Sequence, residues 1–327
     1  MFHTKICILL AGISVVPLLT SATGAEPADK LLAAGRVDEA VSSLQDRIRN
    51  SPSDAEAYNL LCRAHFTLSN WDAGIKACEK AVSLDPGNSR YQLWLGRIYG
   101  EKADHAGFLS AAGLAGKVRD AFETAVRLDP NSADARTDLA EFYLEAPGIV
   151  GGGKDKAEAQ AKLLAPLDAV KAYWVTGRIA EKRKDLTTAE NEYRKAIQVS
   201  NGRNDAWLNL ALFYRHVGRF DQMEDTIGHI GATSTGQPEV MMEAAEMLIR
   251  AGRNTSAAAD LLRRYLSSPT VEAAPAFKAH YLLGTALQKQ GDRQTAAQEY
   301  RASLSLAGTF SLARSALNKL NQRGPGG

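Results

Sequence analysis

Between Asn204 and Ile230 the apolar positions keep a helical rhythm that is interrupted once. Trp207, Leu210, Ala211 and Tyr214 recur at i, i+3, i+4 and i+7, which draws one apolar stripe along a helix. Gly218 follows, a residue that ends helices by taking the left-handed conformation. Met223, Ile227 and Ile230 then draw a second stripe on a helix beginning near Arg219. Two apolar stripes joined by a tight turn predict an antiparallel helical hairpin.

One hairpin buries only part of its apolar surface, so a stable chain has to repeat it. Moved forward by 34 residues, Ala211 falls on Ala245, Gly218 on Gly252, Met223 on Ala257 and Ile227 on Leu261. Moved back by 34, Trp207 falls on Tyr173, Ala211 on Gly177, Ile227 on Tyr193 and Ile230 on Ala196. Leu31, His65 and Tyr99 keep the same spacing, as do Pro52 and Pro86. The run from Trp207 to Tyr214, followed by a small-residue turn and a second stripe, resembles the tetratricopeptide repeat (TPR) family. That resemblance implies an all-α fold, a TPR-like α-solenoid in which antiparallel hairpins stack into a right-handed superhelix.

In chain order the pattern yields about eight hairpins over residues 26–322, read as a single solenoid. The first has a short first helix over Pro27–Ala34, turned at Gly35, and a second over about Val37–Arg49. The second is regular, with Tyr58, Leu61, Cys62 and His65 set against Gly74, Cys78 and Ala81. In the third, Trp94, Leu95, Gly96 and Tyr99 precede a second stripe (Val118, Phe122, Ala125) that arrives about ten residues late, which marks Ala103–Gly116 as an insertion. The fourth carries a second insertion, Ala146–Gly153, rich in glycine and proline. The eighth follows an extension around Pro269–Pro275. Leu312–Leu320 reads as a terminal helix covering the last apolar face, and residues 323–327 as a disordered tail.

Residues 1–25 read as a secretory signal peptide rather than part of the fold. Lys5 precedes an apolar run from Ile6 to Thr20, and small residues follow up to Ala25. The run is shorter than the ~20 residues needed to span a bilayer and contains Pro17. The expectation is an exported chain, in the periplasm of a bacterial envelope or secreted, without stable membrane insertion. Formal charge is +2, and +1 once Lys5 is removed, so no basic stripe marks a nucleic-acid partner.

Candidate chemistry is sparse. Gly148–Lys154 spells G-x4-G-K, but a helix precedes it where a phosphate-binding loop needs a strand, and Asp155 stands where Ser or Thr would hold magnesium. It reads as a flexible turn. The six histidines show no ligand spacing, so neither a metal site nor a cofactor is expected. Cys62 and Cys78 lie in one hairpin. Counting back from a turn near Ser69 sets Cys62 opposite Gly74, so the two Cα atoms fall roughly 9–11 Å apart, beyond the ~7 Å limit for a disulfide. Both cysteines are expected as reduced, buried hydrophobes.

The TPR resemblance implies a concave groove lined by the first helices, which binds peptides. By register with Trp207, its candidate positions here are Asn59, Arg63, Arg97, Glu141, Arg178, Glu246 and Thr285, with Trp94 and Trp174 one helical step away. Arginine beside exposed aromatics suits capture of carboxylates or backbone. The two insertions follow consecutive first helices, so they should lie side by side on one edge. Phe108, Leu109 and Leu114 with Ile149 and Val150 are the candidates for a lateral apolar patch there. The chain therefore reads as a non-catalytic scaffold or adaptor for another protein or peptide. Alternatives are a small-ligand binder or enzyme with its site in the groove or insertions, and a structural solenoid that self-associates.

Overall fold

The computed structural model describes residues 26–231 and 237–322. The signal-peptide reading of residues 1–25 and the tail at 323–327 fall outside the described residues. Among the described residues 17 α-helices form eight antiparallel pairs and one terminal helix, with no named strand. The pairs are α1 (Ala28–Ala33) with α2 (Val37–Asn50), α3 (Ala55–Thr67) with α4 (Trp71–Leu84), α5 (Ser89–Asp104) with α6 (Phe108–Leu128), and α7 (Ala133–Glu145) with α8 (Lys154–Leu164). They continue with α9 (Ala169–Lys182) and α10 (Leu186–Val199), α11 (Asn204–His216) and α12 (Phe220–Ile227), α13 (Glu239–Ala251) and α14 (Thr255–Leu266), and α15 (Ala276–Lys289) and α16 (Arg293–Leu306). The terminal helix is α17 (Ser311–Gln322).

Within a hairpin, the registering contact lies between a small residue on the first helix and a bulky one on the second. A Cβ built on Gly177 would lie 2.7 Å from the Tyr193 ring, and one built on Gly284 would lie 2.7 Å from the Tyr300 ring. In both pairs the residue numbers differ by 16. The same contact joins Gly96 to Phe122, so the ten extra residues of the third hairpin are inserted without disturbing its register. A missing Cβ lets an aromatic ring fill the gap between helices, and close packing makes that fit specific. Tyrosine hydroxyls tie the first helix of a hairpin to the second helix of the hairpin before it. Tyr99 donates to Glu79 at 2.6 Å, and Tyr143 donates to Glu123 at 2.8 Å.

The same register overturns the expectation for the thiols. Cys62 and Cys78 also differ by 16, and they are joined as a disulfide with Cα atoms 5.2 Å apart. Setting Cys62 opposite Gly74 misplaced the pair: α3 ends at Thr67 and α4 begins at Trp71, so reflection through Ser69 carries Cys62 to Lys76, two residues from Cys78. Here two cysteines take the positions that glycine and tyrosine hold in the fifth and eighth hairpins. Two small side chains allow close approach of α3 and α4. At Gly74 a Cβ would already lie 3.4 Å from the Cys62 carbonyl oxygen and 3.2 Å from the His65 Cβ.

Turn chemistry also follows the repeat. Gly35, Gly218 and Gly252 adopt positive φ of 72°, 75° and 67°, as the sequence requires for tight reversals. Ser69 and Lys184 occupy the same turn position with φ of 58° and 62°, so the geometry is held by the hairpin rather than by glycine alone. Trp207, central to the sequence pattern, is only half-buried. Its ring stacks on His229 with centroids 4.1 Å apart, while Leu210, Ala211, Tyr214, Met223, Ile227 and Ile230 fill the core.

The first insertion is not a loop. α5 continues to Asp104 and α6 begins at Phe108, so most of Ala103–Gly116 lengthens the two helices. Leu114 is half-buried against the core containing Val118 and Phe122, whereas the side chains of Phe108 and Leu109 lie outside the description. The second insertion does form an irregular connection, with a 3-10 turn at Gly148–Val150. Lys154 donates to the Lys182 carbonyl at 3.1 Å, so this glycine-rich stretch is a helix–helix turn.

The two ends of the solenoid meet. Leu31, Leu32, Leu44 and Leu60 of the first two hairpins share one core with Phe277 and Phe310 from the last. Phe277 and Phe310 pack edge to face with centroids 5.0 Å apart. Asp38 accepts a hydrogen bond from the Gly308 amide at 2.6 Å, and Arg63 Nε donates to Glu272 at 2.7 Å. The linear repeat pattern gave no sign of this closure, because its partners are 270 and 209 residues apart.

Two measurements check this architecture. A non-reducing proteolytic digest should hold the peptides carrying Cys62 and Cys78 together, two hydrogens lighter than their sum. Replacing both by alanine should lower stability by about 3 kcal/mol, the loop-closure value for a crosslink of this length. Phe310→Ala combined with Arg63→Ala should open the seam, seen as a larger radius of gyration by small-angle scattering with helicity retained. An unchanged radius would show that the ends are not joined through these contacts.

Candidate peptide groove

Consecutive first helices pack directly on one another: α3 on α5, α7 on α9, α9 on α11, α11 on α13 and α13 on α15. In a stack of hairpins the helices that touch their counterparts in the next repeat form the inner, concave wall. α3, α5, α7 and α9 bring the sequence-predicted groove residues onto that wall. Trp94 sits between two guanidinium groups, with Arg63 Cζ 5.3 Å and Arg97 Cζ 5.0 Å from its ring centroid. Phe66 meets the same ring edge to face at 5.4 Å.

The arginines, expected to capture carboxylates from a ligand, are already occupied. Arg63 pairs with Glu272 across the closing seam. Arg97 donates from Nε to Asp138 at 2.6 Å. Arg178 pairs with Glu145 at 2.6 Å and with Glu181 at 3.5 Å. Asn59 is fully buried and its amide makes no hydrogen bond, while Trp174 bridges two core clusters. Glu246 pairs with Arg250 at 2.6 Å, and Thr285 donates to the Tyr281 carbonyl at 2.9 Å.

Carboxylates are left over instead. Between α5 and α7 lies a cavity of about 380 Å³ lined by Glu101, Asp104, Asp138, Glu141 and Glu145, with Arg97 as its one guanidinium. Phe66, Phe122 and Phe142 complete its wall. Glu101, Asp104 and Glu141 make no ion pair among the described residues. The acidic character shows in their protonation. Desolvation by the surrounding concave wall pushes Glu141 up to about 7 although the residue keeps an exposed edge, helped by the charges of Asp138, Glu145 and Asp104 and opposed by Arg178. Burial and Asp104 likewise raise Glu101, while His105 and Lys278 act the other way. Lys278 on α15 is pushed down by burial despite the carboxylates of Glu246 and Glu101. A lysine of the last hairpin thus feels a carboxylate of the third across the inside of the closed stack. These carboxylates lie one turn from Arg97 and Glu141 (Glu101, Glu145) or three residues before Glu141 (Asp138), so helical periodicity alone could have placed them.

A second cavity of about 310 Å³ adjoins the first, sharing Asp104, Val118, Phe142 and Glu145. Ala103, Ala111, Ala115, Pro147, Ile149 and Val150 line its remainder. The two insertions therefore lie side by side, as their positions in the repeat pattern required. Ile149 is 95 % exposed at the rim, and Val150 is half-buried. A larger cavity of about 710 Å³ lies between α8, α9 and α10, lined by Ala161, Ala172, Tyr173, Thr176 and Arg183.

The sequence profile described as the tetratricopeptide repeat matches residues 28–89, and a second profile of the same description matches residues 277–310. The chain carries tetratricopeptide repeats. Its fold is similar to that of yeast Tom70, at 16% identity over 95% of this chain and 68% of that one, with a TM-score of 0.51. A tetratricopeptide repeat protein from Parabacteroides merdae aligns at 13% identity over 90% of this chain and 99% of that chain, with a TM-score of 0.43. A thermophilic TPR protein of Thermus thermophilus aligns at 21% identity over 57% and 94%, with a TM-score of 0.47. Among curated proteins no sequence matches this chain.

Glu141 makes a pH prediction. Its folded value lies above the ordinary 4.5, so the folded state holds a proton that the unfolded chain has lost between pH 4.5 and about 7. Stability from this group is therefore present below pH 4.5 and lost as pH rises through about 7. Glu141→Gln should remove that loss and raise stability near pH 8 by about 1 kcal/mol, a modest figure because the carboxyl still touches water and is screened. Urea denaturation at pH 5 and pH 8 checks it. An equal effect of the substitution at both values would show that Glu141 is not perturbed.

Proposed function

We propose that this TPR protein is a non-catalytic scaffold that binds another protein or peptide along its inner wall, and that it does so in the periplasm or cell envelope. The observation that carries the reading is the pair of adjoining cavities, one between α5 and α7 and one at the neighbouring hairpin turns, with carboxylates that make no ion pair among the described residues and an exposed Ile149. Tetratricopeptide-repeat folds work as interaction surfaces, and an unsatisfied concave wall is where such a surface is used. No helix among the described residues is long and apolar enough to cross a membrane. Export is supported by the Lys5-plus-apolar start and by the Cys62–Cys78 disulfide, a bond that persists in oxidising compartments.

The cavity between α8, α9 and α10 supports a second reading, a small-ligand binder, because about 710 Å³ is the size of ligand pockets. Site-specific photocrosslinking separates the two. A crosslinker at Glu145, on the inner wall, should trap a protein from envelope extract, whereas one at Lys162, beside the larger cavity, should not. Crosslinks at Lys162 alone would move the binding face away from the groove. Cell fractionation with N-terminal mass analysis checks location, with a mature chain beginning at Glu26 in the periplasmic fraction as the expected result.

A further inference from the structure

The groove between α5 and α7 has two halves of opposite chemistry, and together they specify a ligand. The apolar half lies under the 3-10 turn, where Ile149 stands in water at the mouth of a cavity of about 310 Å³ walled by alanines, proline and valine. Exposed aliphatic surface at a concave mouth gains nothing in water and gains free energy when a second apolar group covers it. The polar half is anionic. Glu101, Asp104 and Glu141 face it without an ion pair among the described residues, while Arg97 and Arg178 are committed to Asp138 and Glu145 and Lys278 of α15 acts on Glu101 through space only.

Two classes of cation could neutralise such a wall, and the geometry separates them. Among the described residues no three His, Cys, Asp or Glu side chains converge closely enough to hold a metal ion. Carboxylates spread along two helices suit a long, flexible cation instead. Phe66, Phe122 and Phe142 line the same cavity, a surface for the methylene stem of lysine or arginine and for its charged head over a ring.

We infer that this groove binds a protein segment in which a lysine or arginine is followed by aliphatic residues, the cation lying among Glu101, Asp104 and Glu141 and the aliphatic side chains filling the cavity beside Ile149. The inference rests on the scaffold reading and adds the chemistry of the partner. It also reverses the polarity first drawn from Arg63, Arg97 and Arg178, which spend their charge inside the protein. Binding should weaken as pH falls through about 7, where Glu141 takes up a proton. The groups that set that protonation are Asp138 and Glu145 on its own helix, Asp104 on α5 and Arg178 on α9.

The test uses three fluorescein-labelled synthetic peptides of equal length, followed by anisotropy with the full mature chain. One alternates arginine with leucine, one replaces arginine by glutamate, and one replaces leucine by serine. The arginine–leucine peptide should bind at least about tenfold more tightly than either other peptide, the separation expected if both halves contribute. Glu101→Gln with Glu141→Gln should weaken it about fivefold or more, and about 0.5 M sodium chloride should do the same, since both remove attraction between charges. Ile149→Ser with Val150→Ser should weaken it without altering the salt dependence. Circular dichroism of each variant confirms that it is folded. Equal binding of the glutamate peptide, no effect of either double variant, or no binding of the arginine–leucine peptide would overturn the inference. If the chain carrying the photocrosslinker in place of Glu145 still traps a protein, the scaffold reading stands and only the ligand chemistry is wrong. If neither occurs, both fall.

Discussion

The fold depends on one contact repeated along the chain: a side chain too small to fill space on the first helix of a hairpin, facing a large one on the second. Gly177 against Tyr193 and Gly284 against Tyr300 show it without modification. Because the small member has no Cβ, the ring enters the interhelical gap and fixes both the distance and the stagger of the two helices. Every other hairpin feature then follows, including the turn at the 34-residue positions and the alignment of first helices along the inner wall. The Cys62–Cys78 bond is a covalent version of the same contact. An insertion is tolerated wherever it leaves the contact alone. That is why the third hairpin grew longer helices while Gly96 stayed against Phe122.

How much of this was legible in the sequence follows from the range of each interaction. Helical period, turn glycines and the 34-residue spacing are local, and from them the all-α solenoid could be read residue by residue. The spacing of 16 that joins Cys62 to Cys78 is the spacing of Gly177 and Tyr193, so the bond is visible in a comparison of hairpins and is lost when Cys62 is set opposite Gly74. Trp207 read as a core residue and proved a half-buried stacking partner of His229, since a stripe says which side a residue faces but not how deep it lies. The meeting of the two ends was not legible at all. Nothing in the repeat pattern of Leu31 or Phe310 records that they will share a core.

The groove illustrates the limit more sharply. Arg63, Trp94, Arg97, Glu141 and Arg178 were placed on the inner wall by register. Their charges, however, were read as if each faced solvent alone. Asp138, Glu145 and Glu272 cancel the arginines, and the carboxylates that remain set the sign of the surface. A sequence gives the list of charges on a face, whereas the pairing among them decides what is left for a ligand.

Closure of the stack has a consequence for how the protein comes apart. An open row of repeats behaves as a one-dimensional chain with two free ends, and melting begins there because a terminal unit loses only one interface. Joining Leu31 and Leu32 to Phe277 and Phe310 gives the row a periodic boundary. No repeat is then terminal, and the first unit to detach must break two interfaces at once. Gradual fraying should give way to a single cooperative transition, and the least stable link in the circle, rather than its position along the chain, would choose where unfolding starts.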